Sequence, residues 1–225
     1  MPTGIEGMTC RKRAFDIVVG SILAVAAIPL VVALALGVML SLRSSPFFVQ
    51  RRIGLHGRPF WLVKLRTLPT AVRASADKYA IANAATSRFC RLLRATHLDE
   101  LPQLFQVPLG TMSLVGPRPE MPELLTRFDP GFVEARQRVR PGCTGLWQIS
   151  PDADLLIGEA PQHDLEYLER SSLRLDVWIL ARTLRLMFQP SSRPNRWHAT
   201  GTTLPLTTAV PLPPRSALPA SVREQ

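Results

Sequence analysis

The chain has 225 residues, which is enough for one domain plus extra segments. Its 27 Lys and Arg residues outnumber 17 Asp and Glu residues, so the formal net charge is +10, and 46% of the residues are hydrophobic. This charge favours an anionic partner, which can be nucleic acid, anionic lipid or a phosphorylated substrate. The three cysteines, at positions 10, 90 and 143, form no C-x-x-C pair. Their spacing argues against a disulfide framework or a zinc site and favours a reducing compartment.

A long apolar segment follows a basic cluster near the start of the chain. Residues 11–13 are basic, and residues 17–42 are apolar except for two serines. This is long enough to cross a bilayer, which requires about 20 apolar residues. Pro29 lies near the middle, where it removes one helix hydrogen bond and predicts a kink.

Basic residues also follow this segment, at positions 43, 51 and 52. Since flanks rich in Lys and Arg lie on the cytoplasmic side of a membrane, two basic flanks indicate that both ends lie there. We therefore predict a helix-break-helix hairpin that enters one leaflet and returns to the same side. An ordinary single span and a cleaved signal peptide are the alternatives.

The sequence after Pro46 changes to a strand-like pattern. Two apolar runs, at residues 47–49 and 60–65, flank a turn around residues 55–58, and together they predict a β-hairpin. Lys64 and Arg66 alternate with apolar neighbours, so both cations project from one face of the second strand. That face is either a solvated surface or a wall that binds phosphate.

Two adjacent carboxylates, Asp99 and Glu100, begin a short segment with helical apolar spacing. A structural reading explains them, because Thr96 and Asp99 match a capping box and Pro102 is tolerated only in a first helical turn. A chemical reading also fits. Carboxylates form phosphoryl-enzyme intermediates, and Mg²⁺ prefers one or two carboxylates together with substrate phosphate oxygens.

A second motif, Gly-Pro-Arg-Pro, ends an apolar run at residues 116–119. The two prolines fix the backbone on either side of Arg118, so they aim its guanidinium. A cation held in a fixed direction near two carboxylates suggests a reaction of an anionic substrate.

These motifs resemble those of the bacterial sugar transferase family, the monotopic polyprenyl-phosphate phosphoglycosyl transferases. The resemblance covers about residues 11 to 189 and follows the order of the family's motifs. The matching segments are KRAFD at 12–16, Gln50-x-Arg52-x-Gly54, Lys64 to Thr67, LDELPQL at 98–104, MSLVGPRP at 112–119, RPGCTGLWQ at 140–148 and Asp164-x-x-Tyr167.

The resemblance implies a ping-pong reaction at the cytoplasmic face of the bacterial inner membrane. Asp99 would attack the β-phosphorus of a UDP-sugar and expel UMP, and undecaprenyl phosphate would then take the sugar phosphate. Glu100 would hold Mg²⁺. The substrate-binding residues that the resemblance implies are Arg52, Lys64, Arg66, Arg94, Arg118, Arg140 and Asp164. The product would begin the assembly of a polysaccharide or glycoconjugate.

The sequence departs from the family pattern in four places. Ile28 stands where a serine usually precedes Pro29, Gln106 where asparagine is common, Thr111 where an acidic residue is usual, and residues 149–151 differ after the Trp-Gln pair. The departures at Thr111 and at 149–151 support an alternative function, which is a catalytically silent scaffold, anchored in the membrane, of a glycan-assembly complex. A membrane-tethered nucleic-acid binder is disfavoured because the chain has no recognition-helix or aromatic-platform signature. The sequence leaves homo-oligomerisation open.

The predicted fold class is α+β and mostly helical, with a membrane-associated N-terminal hairpin and a small β-hairpin. We predict a basic leader at 1–13, a re-entrant membrane helix at 14–42, a cytosolic catalytic domain at 43–189 and a disordered, proline-rich tail at 190–225. Helical spacing between residues 173 and 187 predicts a basic amphipathic helix that either lies on the membrane surface or packs on the core. Residues 70–86 predict a helix or a mobile loop.

Overall fold

The computed structural model describes residues 4–69, 87–153 and 155–188. The predicted tail and the segment at 70–86 lie outside these residues. The described helices are α1 Gly4–Leu42, α2 Arg88–Ala95, α3 Pro122–Leu125, α4 Pro130–Gln137, α5 Leu146–Ile149, α6 Gln162–Arg170 and α7 Leu173–Phe188. The strands are β1 Phe47–Ile53, β2 Pro59–Leu65, β3 Ser113–Val115 and β4 Gly142–Thr144. Turns of 3-10 helix occupy Leu55–Gly57, Leu98–Gln106 and Ile157–Glu159. The prediction of a mostly helical protein with little sheet is confirmed.

α1 is one helix that continues through Pro29, so the predicted division into two helices is not confirmed. The part from Cys10 to Leu42 is long and apolar enough to cross a membrane, and 17% of its most apolar window is buried. The buried residues recur every three or four positions, as expected for one side of a helix. This buried stripe consists of Asp16, Gly20, Ala24, Ala27, Val31, Ala35 and Val38.

The N-terminal half of α1 is fixed to the rest of the protein by hydrogen bonds. Arg13 donates from Nη1 to the carbonyl of Val107 at 2.8 Å and from Nη2 to that of Pro108 at 2.9 Å. The buried Asp16 carboxylate accepts a 3.1 Å hydrogen bond from the main-chain N–H of Leu114 in β3. These contacts position the helix against the strand that leads into the Gly-Pro-Arg-Pro motif.

The C-terminal half of α1 packs against the same body. A Cβ atom on Gly37 would lie 2.7 Å from the ring of Phe89 in α2, so a larger residue would require that ring to shift. Val38 is fully buried in a cluster with Leu65 of β2 and Leu93 of α2. Both halves of the apolar helix therefore contact the part of the chain that carries the acidic pair.

β1 and β2 form the predicted antiparallel hairpin, with Phe48 opposite Lys64 and Arg52 opposite Phe60. The side chain of Gln106 extends the outer edge of β2. Its Nε2 donates to the carbonyl of Trp61 at 2.6 Å, and its Oε1 accepts from the N–H of Val63 at 3.1 Å. One amide therefore joins the hairpin to the helix that begins with the acidic pair.

A short parallel pair, β3 and β4, lies at the centre of the core. A Cβ atom on Gly142 would lie 2.1 Å from the backbone nitrogen of Gly116, so glycine is needed for the two segments to approach. Tyr167 is buried beside them, and its hydroxyl oxygen lies 3.1 Å from the carbonyl oxygen of Val115. The main core cluster comprises Leu62, Val107, Met112, Leu114, Val115, Tyr167 and Ile179.

The predicted helix near the end of the described chain is confirmed as α7. Its buried Asp176 accepts from Lys12 at 2.7 Å and from the Tyr167 hydroxyl at 2.9 Å. The opposite side exposes Val177 and Trp178. α7 therefore packs on the core through one face, which is one of the two predicted alternatives, and leaves apolar side chains on the surface.

Candidate active site

The acidic pair lies on the 3-10 helix Leu98–Gln106, which we call the acid-pair helix. It begins one residue before the predicted start at Asp99. Its N-cap is His97, which adopts the left-handed conformation with a φ of 57°. The predicted capping box between Thr96 and Asp99 is wrong.

Thr96 cannot cap the acid-pair helix because it already ends α2. It is the C-cap of that helix, and its hydroxyl donates to the carbonyls of Leu92 at 2.8 Å and Leu93 at 3.3 Å. Back-bonding of this kind is a frequent use of a threonine side chain within a helical turn. The left-handed His97 then turns the chain between the two helices.

The two carboxylates have different electrostatic environments. Asp99 is 6% exposed, and burial together with the neighbouring Glu100 charge raises the pKa of Asp99 to about 7. Burial alone would also raise the pKa of Glu100, but the Arg118 guanidinium holds that pKa well below its usual range. Glu100 is therefore ionised at neutral pH, whereas Asp99 is near the midpoint of its titration.

Arg118 forms a two-point ion pair with Glu100. Its Nη2 lies 2.7 Å from Oε1 and its Nη1 lies 3.3 Å from Oε2. The structure therefore brings together the two motifs that the sequence places 18 residues apart. Forked contacts of this kind fix the plane of the guanidinium as well as its position.

The loop that carries Arg118 is held by its main-chain carbonyl groups. Prolines at 117 and 119 have no N–H to donate, so acceptors anchor the loop. Each carbonyl from 117 to 120 accepts one hydrogen bond, and the four distances are 2.9, 2.6, 3.2 and 3.0 Å. The four donors, in the same order, are Gly142 N, Arg136 Nη2, Arg52 Nη1 and Ile53 N.

Arg52 and Asp164, both predicted to bind substrate, lie behind this loop. Arg52 is buried, donates to the Pro119 carbonyl and pairs with Glu120 at 3.3 Å. The Asp164 carboxylate is 2% exposed and lies 3.0 Å from Arg136. Burial raises the pKa of Asp164 to about 6 even though this cation opposes the rise. In the structure these side chains contact the loop and its supports.

Arg136 is a residue that the sequence analysis missed. It is buried in α4, donates to the carbonyl of Arg118 and forms an ion pair with Asp164. Its guanidinium also lies 5.4 Å from the centre of the Phe132 ring. The sequence does contain one sign of this role. Arg136 lies four residues after Phe132, on the same side of the helix, where an apolar core residue is expected.

Lys64 and Arg66 project from one face of the hairpin, as predicted. The Lys64 ammonium lies 5.4 Å from the centre of the Phe48 ring, and the Arg66 guanidinium lies 5.8 Å from it. Burial lowers the pKa of Lys64, while the charges of Glu100 and Asp99 act in the opposite direction. Lys64 therefore lies within electrostatic reach of both carboxylates.

In the part of the chain that the structure describes, the other three predicted cations, Arg66, Arg94 and Arg140, are not paired with the acids. Arg66 donates to the carbonyls of Ser45 and Phe47 at the open end of the hairpin. Arg140 donates to the carbonyl of Gly110 at 2.9 Å, and Arg94 occupies the last turn of α2. Among the described residues, no hydrogen bond or ion pair joins these three arginines to Asp99 or Glu100.

The described residues contain no cluster of three or more His, Cys, Asp or Glu side chains that could hold a metal by themselves. The acidic pair nevertheless fits Mg²⁺, which commonly binds one or two protein carboxylates and completes its coordination with substrate phosphate and water. The ionised Glu100 supplies a hard oxygen ligand of this type. Its present partner is Arg118, so a metal would share or replace that contact.

The chain is similar in sequence to known proteins. A model of the bacterial sugar transferase family matches residues 7–190. A UDP-glucose:undecaprenyl-phosphate glucose-1-phosphate transferase of Xanthomonas campestris pv. campestris is 39% identical over 69% of this chain and 34% of its own length. A protein of the same name from Caulobacter vibrioides is 36% identical over 77% of this chain and 68% of its own length.

A further relative, the exopolysaccharide production protein ExoY of Rhizobium meliloti, is 34% identical over 80% of this chain and 85% of its own length. This chain thus spans about a third of the Xanthomonas protein but most of the Caulobacter and Rhizobium proteins. The family match includes α1, the hairpin, the acid-pair helix and the loop that carries Arg118. The chain therefore belongs to the bacterial sugar transferase family.

Proposed function

We propose that this protein transfers a sugar 1-phosphate from a UDP-sugar to undecaprenyl phosphate, releasing UMP and forming an undecaprenyl-diphospho-sugar. The observation that carries the proposal is the pair formed by the buried Asp99 and the partly buried Glu100, with Arg118 bound to Glu100 and Lys64 within reach of both acids. The names of the relatives support the acceptor and make UDP-glucose the first donor to test.

The reaction proceeds in two displacements at phosphorus. An Asp99 carboxylate oxygen attacks the β-phosphorus, a new P–O bond forms, and the P–O bond to UMP breaks so that UMP leaves with the electron pair. An oxygen of undecaprenyl phosphate then attacks the same phosphorus and displaces Asp99 as its carboxylate. Carboxylate nucleophiles of this type divide one difficult transfer into two easier steps.

The charged neighbours of Asp99 can stabilise the negative charge that is present in each step. Lys64 and Arg118 stabilise the ionised form of Asp99, and they can also neutralise the negative phosphate oxygens that gather charge during transfer. Glu100 would hold Mg²⁺, which when bound supplies charge neutralisation on the diphosphate. The Pro117–Glu120 segment is anchored before the substrate binds. The Arg118 guanidinium is therefore already in position, and little side-chain freedom is lost when the substrate phosphate binds.

We also propose that α1 enters the cytoplasmic leaflet and returns to the same side. A straight spanning helix would contact a cytosolic domain at one end. In contrast, Arg13 bonds to the carbonyls of Val107 and Pro108, while Gly37 and Val38 pack against the same body. These contacts support a re-entrant arrangement, with catalysis at the membrane surface where a lipid-linked phosphate is available.

The test is release of UMP by the protein in nanodiscs, supplied with Mg²⁺, undecaprenyl phosphate and a panel of UDP-sugars. We expect release with one sugar and none from Asp99→Asn, whose amide is a poor nucleophile but has nearly the same shape. A covalent adduct of sugar phosphate mass on the unmodified protein, without acceptor, would identify the intermediate. Absence of release across the panel by folded protein would contradict the proposal and favour the silent scaffold.

A further inference from the structure

An apolar groove that the reaction scheme does not use lies beside the acid-pair helix. Its volume is about 420 Å³, within the usual range of ligand pockets of about 300–1,000 Å³. The middle of α1 forms one wall, and β2 and the acid-pair helix form the others. The lining residues that matter here are Ile28, Val31, Val32, Val63, Pro102 and Phe105.

The groove lies along the helix that carries Asp99. In a 3-10 helix, side chains three residues apart are aligned, and each residue advances the chain by about 2 Å. Asp99, Pro102 and Phe105 follow at this spacing on the acid-pair helix, and the last two line the groove. The apolar lining therefore begins about 6 Å along the helix axis from the proposed nucleophile.

The other side of the groove opens where lipid chains are expected. Ile28 and Val32 line the groove, yet they remain 45% and 54% exposed. They belong to the apolar helix that is long enough to cross a membrane. A hydrocarbon chain can therefore pass from the lipid around α1 into the groove without crossing a polar surface.

The chemistry of the lining selects hydrocarbon over a polar group. Gln106 contributes an amide, but both of its ends are engaged, with Nε2 bound to the Trp61 carbonyl and Oε1 bound to the Val63 N–H. A sugar or nucleotide placed here would lose its hydrogen bonds to water without gaining partners in the lining. An apolar chain instead gains free energy in proportion to the apolar surface that it removes from water.

We propose that the apolar groove binds the isoprene units nearest the phosphate of the lipid acceptor. This inference rests on the proposed function. It assigns to the groove the task of placing the acceptor phosphate at Asp99 for the second displacement. The volume admits only the first part of a long polyisoprenoid chain, so the rest stays in the bilayer. A phospholipid tail in the same groove would bring its own head group to the acidic pair and obstruct it.

The test compares Val32→Trp with Leu30→Trp in the same nanodiscs. Both residues are about half-exposed on α1. They are two positions apart, a rotation of about 200° around the helix axis, so their side chains lie on nearly opposite sides of the helix. Only Val32 lines the groove, so a tryptophan there fills it, whereas Leu30→Trp adds the same bulk facing away. We expect UMP release in a single turnover without acceptor to be unchanged in both.

The second displacement separates the two variants. We expect Val32→Trp to raise the KM for undecaprenyl phosphate about tenfold, equivalent to about 1.4 kcal/mol of lost binding, and Leu30→Trp to leave it unchanged. Farnesyl phosphate, which carries only the isoprene units nearest the phosphate, should show the same difference. An unchanged KM in Val32→Trp, or an equal rise in both variants, would overturn the inference and indicate ordinary bilayer chains around the helix.

A binding measurement keeps the inference separate from the reaction. A benzophenone analogue of farnesyl phosphate, irradiated with the unmodified protein without any donor, should form crosslinks at groove residues. Excess undecaprenyl phosphate should suppress these crosslinks, whereas excess phospholipid should not. Crosslinks at the groove without UMP release would refute the proposed function but support the groove. UMP release together with crosslinks only outside the groove would support the proposed function and refute the assignment of the groove.

Discussion

The side chain of Arg136 donates a 2.6 Å hydrogen bond to the main-chain carbonyl of Arg118, and its guanidinium also lies 3.0 Å from the buried carboxylate of Asp164. A residue in one helix thereby fixes the backbone that positions an arginine of the candidate active site. The contact is to a carbonyl, so the side chain of Arg118 remains available for Glu100.

Asp164→Asn should destabilise the protein strongly, because it leaves the buried Arg136 without an ionic partner. Loss of one member of a buried pair costs about 3–5 kcal/mol, and thermal or denaturant unfolding would measure it. The double variant Arg136→Met with Asp164→Leu should recover much of this stability. UMP release should stay reduced by roughly 10- to 100-fold, since the Arg118 carbonyl has lost its donor and the guanidinium is no longer positioned. Recovery of both stability and activity would exclude this positioning role.

The rate of UMP release should depend on pH through the ionisation of Asp99. In the proposed reaction only the ionised carboxylate of Asp99 can attack. Its pKa is raised to about 7, so the rate should fall as the pH drops below that value. Lys64 lowers this pKa, hence Lys64→Met should move the acidic limb to higher pH. A pH profile of single-turnover release would measure the shift. A uniform loss at every pH would instead indicate that Lys64 acts by binding phosphate.

Gln106→Met should loosen the hairpin, because it removes the amide that bonds to the Val63 N–H and the Trp61 carbonyl while keeping the volume nearly the same. Unpaired backbone groups of this kind cost about 1–3 kcal/mol. We expect faster hydrogen exchange at the Val63 amide. The Ile53 amide, which bonds to Glu120 at the other end of the hairpin, serves as the internal reference. Equal acceleration at both amides would indicate global unfolding.

The two ends of α1 should react with thiol reagents from the same side of the membrane. Cys10 is exposed, and Ser45→Cys supplies a second site just after the helix, with Cys90 and Cys143 replaced by alanine. In spheroplasts an impermeant maleimide should label neither thiol, and in inverted vesicles it should label both. Labelling of one thiol in each preparation would establish a spanning helix, while the chemistry at Asp99 could remain.

Local patterns predicted the elements that depend on local sequence. The apolar helix, the hairpin at 47–65 and the helix near the end of the described chain follow from hydrophobic spacing and turn residues. The two motifs also indicated that Arg118 lies near the acidic pair, although its ion pair with Glu100 was not predicted. These features were predictable because each one is accompanied by a recognisable local sequence pattern, such as flanking prolines or paired acids.

The remaining features depend on tertiary contacts that have no such local pattern. Arg136 bonds to a backbone carbonyl, which has the same chemistry whatever residue stands there, so the sequence gives no sign of the partnership. The predicted cap at Thr96 failed because one residue can end one helix or begin the next, and packing determines which. Asp164 looked like a substrate ligand, but it is buried against Arg136.

The buried stripe of α1 affects how a water-soluble form of this enzyme can be made. Deleting the helix would leave the Leu114 N–H without the Asp16 carboxylate that accepts its hydrogen bond. It would also expose the apolar residues that pack against Val38, such as Leu65, to water, so the remaining protein would aggregate. Polar substitutions confined to exposed positions such as Val18 and Val25 would keep every buried contact. Surface redesign, in place of truncation, would thus separate the helix's membrane affinity from its structural role in the core.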